Sequence, residues 1–182
     1  MKSQFFNKTK WVLLPFVLLS FSIGNALGDN VVYTFNTDAG LTALGVTKPD
    51  SDGGSTDLDP DEDYTSGIVT MNITHGGTNT RIYRGSGGQS GVLDLRIYKN
   101  GGSLSFSVSG AYKLTSIVFA GSAVNNFSVD EGSTGSFSSG TWTAVENSTT
   151  TSVKLNATNT GKINTITVNY ASTGGGTTYT VI

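Results

Sequence analysis

The sequence predicts an all-β protein, a two-sheet antiparallel β-sandwich of jelly-roll or Greek-key type with about ten strands, and three observations carry that expectation. Ser103 to Phe119 reads SLSFSVSGAYKLTSIVF, and 49 residues later, from position 152 against 103, Ser152 to Val168 reads SVKLNATNTGKINTITV, aligned without a gap. Charged residues make up only 13% of the chain while Gly, Ser, Thr and Asn abound, a mixture poor for helices and good for strands and turns. No ten-residue segment combines a 3.6-residue apolar period with capping signals. A closed barrel is the alternative architecture.

The repeat preserves which side chains face inward. Leu104, Phe106 and Val108 answer to Val153, Leu155 and Ala157, and Leu114, Ile117 and Phe119 answer to Ile163, Ile166 and Val168. Each half therefore reads as strand, turn, strand: a β-hairpin present twice, its apolar rows turned toward a shared interior. In both halves the alternation slips by one position, at Thr115 and Ser116 in the first, which predicts a β-bulge at the same place in each.

The remaining elements follow in chain order. Val31 to Phe35 is a short β-rich run, Asn36 to Thr47 has no assignable pattern, and Lys48 to Asp63 is an acidic loop. Ile68 to Thr74 alternates with Val69, Met71 and Ile73 on one face, and Thr80 to Arg84 forms a shorter strand centred on Ile82. The glycine-rich GSGGQSG at Gly85 to Gly91 is a hairpin loop into the strand of Leu93, Leu95 and Ile97, and Asn100, Gly101 and Gly102 turn the chain into the first repeat. Between the repeats lie a strand near Val124 to Val129, a Gly/Ser stretch from Gly132 to Gly140, and a strand carrying Trp142.

Residues 1–28 carry Lys2, Lys8 and Lys10, an apolar run from Trp11 to Phe21, and small residues at Gly24, Ala26 and Gly28, the three regions of a secretory signal, with cleavage expected after Ala26 or Gly28. A membrane-crossing helix needs about 20 apolar residues, and this run is shorter and interrupted by Pro15, so no stable membrane insertion is expected after cleavage. Secretion or cell-surface placement follows. Loss of those three lysines leaves eight basic against thirteen acidic residues, a net charge of −5 that repels nucleic acid. The chain has no cysteine, so stability must come from a core rather than from disulfides. The module is expected over residues 29–171. From Ser172 to Thr178 the chain reads as a linker, and Tyr179 to Ile182 resembles the start of a further module.

Chemistry is most suggestive in RIYR at Arg81 to Arg84, echoed as RIYK at Arg96 to Lys99. With Ile82 and Ile97 inward, alternation sends Arg81, Tyr83, Arg96 and Tyr98 outward, with Asp94 beside Arg96. An aromatic ring can cover the C–H face of a sugar while arginine and carboxylate groups bond its hydroxyls. The same residue types also serve as plain cross-strand pairs on a solvated sheet. Trp142 is a second candidate stacking platform, or else core packing. Asp50, Asp52, Asp57 and Asp59 crowd the acidic loop, where oxygen donors in a glycine-containing turn can hold Ca²⁺. The spacing lacks the third alternating acid and the bidentate glutamate of an EF-hand, and a hydrated acidic loop is the simpler account, since charge runs usually just stay solvated. His75 stands alone, no nucleophile elbow is present, and the spacing of Asp94, Asp130, Glu131 and Glu146 selects no catalytic pair.

The stretches LRIYKNGGSLSFSVSGAYKLTSIVFAG, GTWTAV and SVKLNATNTGKINTITVNY, preceded by YTSGIVTMNIT, resemble a poorly characterised class of β-rich accessory modules in secreted and surface proteins of gut-type bacteria. The resemblance spans Val31 to Tyr170 and rests on strand rhythm and on anchors matched by Arg96, Tyr98 and Trp142; the acidic loop departs from it as an insertion. It implies an accessory part of a larger exported protein with further modules in the same chain, and it carries no established site. The expected function is a non-catalytic module that binds a polysaccharide or surface glycan or mediates adhesion. The alternatives are a structural spacer in a cell-surface protein and, third, a glycan-cleaving enzyme.

Overall fold

The computed structural model describes residues 29–174, so the expected secretion signal and the expected strand start at Tyr179 to Ile182 lie outside the described residues. The chain passes through β1 (Asp29–Thr34), a short helix α1 (Asp38–Ala43), β2 (Ser55–Asp57), β3 (Tyr64–Ser66), β4 (Val69–Thr74), β5 (Arg81–Arg84), a 3₁₀ turn (Gly87–Gln89) and β6 (Leu93–Ile97). It continues through β7 (Ser103–Val108), β8 (Tyr112–Gly121), β9 (Phe127–Val129), β10 (Ser136–Ser138), β11 (Thr141–Thr143), β12 (Ser152–Ala157) and β13 (Gly161–Ser172). The strands form two antiparallel sheets, as the sequence predicts. One has eight strands in the order β10-β11-β8-β13-β6-β5-β2, with β1 also paired to β13; the other has five in the order β3-β4-β7-β12-β9. Among the described residues no helix is long and apolar enough to cross a membrane.

The two repeats are present, but they are not hairpins. β7 and β12 belong to the five-stranded sheet, β8 and β13 to the eight-stranded one, so each repeat is an arch that crosses from sheet to sheet. The backbone explains why. A hairpin would satisfy the groups flanking its turn across the turn itself, whereas the Val108 N–H donates to the Thr151 carbonyl at 2.9 Å and the Leu114 N–H to the Thr150 carbonyl at 2.7 Å. Gly110 reverses the chain at φ 70°, a conformation that costs a residue without a Cβ little.

The arches pair with each other about a local pseudo-two-fold axis. Phe106 opposes Val153 and Leu104 opposes Leu155 in one sheet, while Ile117 opposes Val168 and Phe119 opposes Ile166 in the other. Ser105 faces Lys154 and Val118 faces Thr167 at the axis. Thr115 and Asn164 are skipped in the β8–β13 register, and these two bulges occupy equivalent positions of the repeat. Inward rows from both sheets, including Val69, Met71, Ile82, Leu95, Ile97, Leu104, Phe106, Leu114, Ile117, Leu155, Ile163 and Ile166, are buried in one core. Each such side chain contributes roughly 1.5–3 kcal/mol on burial.

Tyr33 ties the sheets together. Its hydroxyl donates toward the carbonyls of Tyr64 at 3.1 Å and Val69 at 3.0 Å, and burial raises the phenol pKa well above its ordinary value. Three segments differ from expectation in detail. The unassigned stretch holds α1, whose first turn is capped by the Thr37 hydroxyl accepting from the Gly40 N–H at 3.1 Å. The acidic loop contains β2, and the Gly/Ser stretch contains β10, each a three-residue strand.

Candidate functional site

The outward residues of β5 and β6 meet as the alternation requires. Arg81 opposes Arg96, and Tyr83 opposes Asp94, on the face of the eight-stranded sheet away from the core. Two arginines placed directly across from each other repel, and both relieve this by leaning back along their own strands. Arg96 turns toward Asp94, with Nε donating to Oδ1 at 2.8 Å, which lays its guanidinium over the Tyr83 ring with Cζ 3.4 Å from the ring centre. Arg81 turns toward the Asn79 carbonyl at 3.0 Å, and its Cζ lies 5.7 Å from the centre of the Tyr98 ring. Because the strands are antiparallel, the two cations diverge. Burial opposes the charged form of Arg96, but the Asp94 carboxylate outweighs it and holds the guanidinium pKa above its usual value.

The same face extends onto two strands that sequence reasoning did not bring here. On β2, Asp57 opposes Arg81 and Ser55 opposes Tyr83, with Asp57 Oδ1 3.4 Å from Arg81 Nε and Ser55 Oγ accepting from Arg81 Nη1 at 3.3 Å. On β13, Lys162 opposes Arg96. Its outward position is readable from its inward neighbours Gly161 and Ile163, but its strand partner is not. Across the sheet the charge stops: the cross-strand row Val32, Thr167, Val118 and Thr141 carries no ionisable group.

Trp142 corrects the second stacking candidate. It is fully buried on β11, its indole N–H donates to the Thr134 carbonyl at 3.0 Å, and it packs against Gly135, whose φ of 98° brings the backbone close to the ring. A lone large aromatic beside short strands gains more from the core than from solvent. It offers no face to a ligand.

The four aspartates considered for Ca²⁺ are likewise corrected as a group, because each has a different local environment. Asp52 binds the Ser90 hydroxyl and Arg84, whose Nε lies 2.6 Å away, and it accepts the Gly91 N–H at 3.2 Å. It thereby pins the glycine-rich loop after β5, and the Ser90 bond foremost, with Arg84, holds its carboxyl below the usual carboxylate range. Asp57 accepts from Asn79 at 2.8 Å besides pairing with Arg81, Asp59 accepts the Asp61 N–H at 2.9 Å, and Asp50 is exposed. Among the described residues no three acids, histidines or cysteines converge on a metal position.

Of the remaining acids, Asp94 lies on the eight-stranded sheet, whereas Asp130 follows β9 at the edge of the other. There it accepts from Asn156 at 2.8 Å, so the two carboxyls belong to different sheets. A cleft of about 380 Å³ opens beside the acidic segment, lined by Val46, Asp57, Leu58, Glu62 and Tyr64 among others, while the Arg/Tyr cluster stands on the open sheet face. Comparison with known protein families, curated proteins and solved structures found no match.

Proposed function

We propose that this chain is a non-catalytic, exported β-sandwich module that binds a glycan on the outer face formed by β2, β5, β6 and the start of β13. The observation that carries this reading is the Asp94–Arg96–Tyr83 assembly, two of its members held by a 2.8 Å bond and the third by stacking. Side chains already fixed lose little conformational entropy when a ligand arrives, and they stand on strands rather than on loops. Half-exposed tyrosines with arginine and carboxylate between them offer apolar cover and directed hydrogen bonds over one stretch of sheet, the combination a pyranose needs.

Affinity electrophoresis of residues 29–174 through gels containing a panel of polysaccharides tests the proposal. Retardation by at least one polymer, abolished in a Tyr83→Ala, Tyr98→Ala double variant that keeps its strand spectrum, is expected. Unretarded migration in every gel by the folded wild type would overturn it and favour the spacer. That second reading draws on the same geometry, since Arg96 already has Asp94 and Tyr83 as partners without any ligand.

A further inference from the structure

Arg81, Arg96 and Lys162 stand in one cross-strand row on β5, β6 and β13, each directly opposite the next. Like charges in directly opposed positions destabilise a sheet, so three in succession are a cost that ordinary pairing would avoid. Asp57 and Asp94 neutralise the two arginines, but Lys162 forms no ion pair among the described residues, which leaves the row with one positive charge in excess. This sits on a chain whose residues from 29 onward carry eight basic and thirteen acidic groups, so the row is cationic against the sign of the whole. The guanidiniums also lean apart, and Arg81 Nη2 has no hydrogen-bond partner among the described residues.

We infer that the glycan taken by this face is an acidic one, a uronic-acid polymer with a carboxylate seated over the Arg81–Arg96–Lys162 row and bonded by the Lys162 ammonium. This rests on the glycan reading above and narrows it to a substrate class. A carboxylate fits the row better than a neutral hydroxyl because charge-assisted bonds are roughly twice as strong as neutral ones, and because it supplies the missing counter-charge. The protein's overall negative charge then acts as a filter: a polyanion is repelled everywhere except here, which confines binding to one face.

The test pairs polygalacturonate with its fully methyl-esterified form, in chelator so that no divalent ion bridges the chains, using residues 29–174. The acid polymer is expected to bind about tenfold or more tightly than the ester, with the advantage shrinking as salt rises. Lys162→Ala is expected to remove most of that advantage and leave the ester unaffected. Lys162→Glu provides an independent readout without ligand: relief of the like-charge row is expected to raise the melting temperature while acid-polymer binding disappears. Equal affinity for both forms, or binding to neutral polymers alone, would overturn the acidic assignment and leave the glycan reading standing. Binding to no polysaccharide at all would overturn both. A lowered melting temperature in Lys162→Glu would show that the lysine is compensated after all, and would also sink the inference.

Discussion

The guanidinium carbon of Arg96 sits over the ring of Tyr83, 3.4 Å from its centre, while Nε of the same group bonds the Asp94 carboxylate at 2.8 Å. Stack and ion pair share one cation, so their contributions are coupled. In a double-mutant cycle, Arg96→Ala and Tyr83→Ala are expected to show a coupling of about 1 kcal/mol in urea unfolding, between the values for exposed and desolvated cation–π pairs. Arg96→Lys is expected to recover little of it, because an ammonium cannot lie flat and bond a carboxylate edge together. Additivity within error would show that the stack is incidental.

Trp142 gives an optical check on which surface binds. It is the one tryptophan among residues 29–174, and it is fully buried. Its emission is therefore expected to be blue-shifted in the folded protein and, if the proposed face of Tyr83 and Tyr98 takes the glycan, to stay unshifted when polysaccharide is added. Trp142→Ala is expected to cost about 3–5 kcal/mol, from the lost transfer energy and the cavity left behind. A ligand-dependent shift in emission would return Trp142 to the binding site.

Acid is expected to loosen two local ties. Ser90 foremost, with Arg84, lowers the Asp52 pKa, and the Asn156 bond foremost, with the Gly132 N–H and Lys154, lowers that of Asp130. A carboxyl whose folded pKa lies below its unfolded value, about 3.9, contributes stability that is fully present above that value and is lost as pH falls through the folded pKa. Stability should therefore decline with acid below about pH 4, and the decline should be shallower in Asp52→Asn and in Asp130→Asn. Identical slopes in the variants and the wild type, from urea melts at stepped pH, would contradict this.

How far the sequence could be read depended on whether a feature was local. Val69, Met71 and Ile73, or Leu93, Leu95 and Ile97, show their buried face by alternation alone, and all six are buried. The bulge at Thr115 was legible because one misplaced inward residue shifts every later one. Three-residue strands such as Ser55–Asp57 and Ser136–Ser138 are too short to alternate, and so Asp57 read as loop although it faces Arg81. Alternation also says which way Lys162 points but nothing about which strand lies beside it, and the row with Arg96 emerged only from the register. The arch was hidden for the same reason: an inward row looks identical whether its partner strand lies in the same sheet or in the facing one.

Arch and hairpin differ in a distance that can be measured without coordinates. In the arch, Ser105 opposes Lys154 across the β7–β12 pair, and directly opposed residues have Cα atoms about 4.5–5.5 Å apart, inside the range a disulfide spans. The chain has no cysteine, so Ser105→Cys with Lys154→Cys introduces one pair only. Both side chains point away from the core, which makes the substitution itself mild. Oxidation is expected to cross-link the folded protein rapidly and to stabilise it by roughly 2–4 kcal/mol, because the bond closes a long loop in the unfolded chain. Were each repeat a hairpin, β7 would pair with β8, and position 105 would have no reason to face position 154. Failure of the folded double variant to cross-link, while a Ser105→Cys, Val118→Cys control, which joins the outward positions a hairpin would oppose, did so, would refute the pairing of the two repeats.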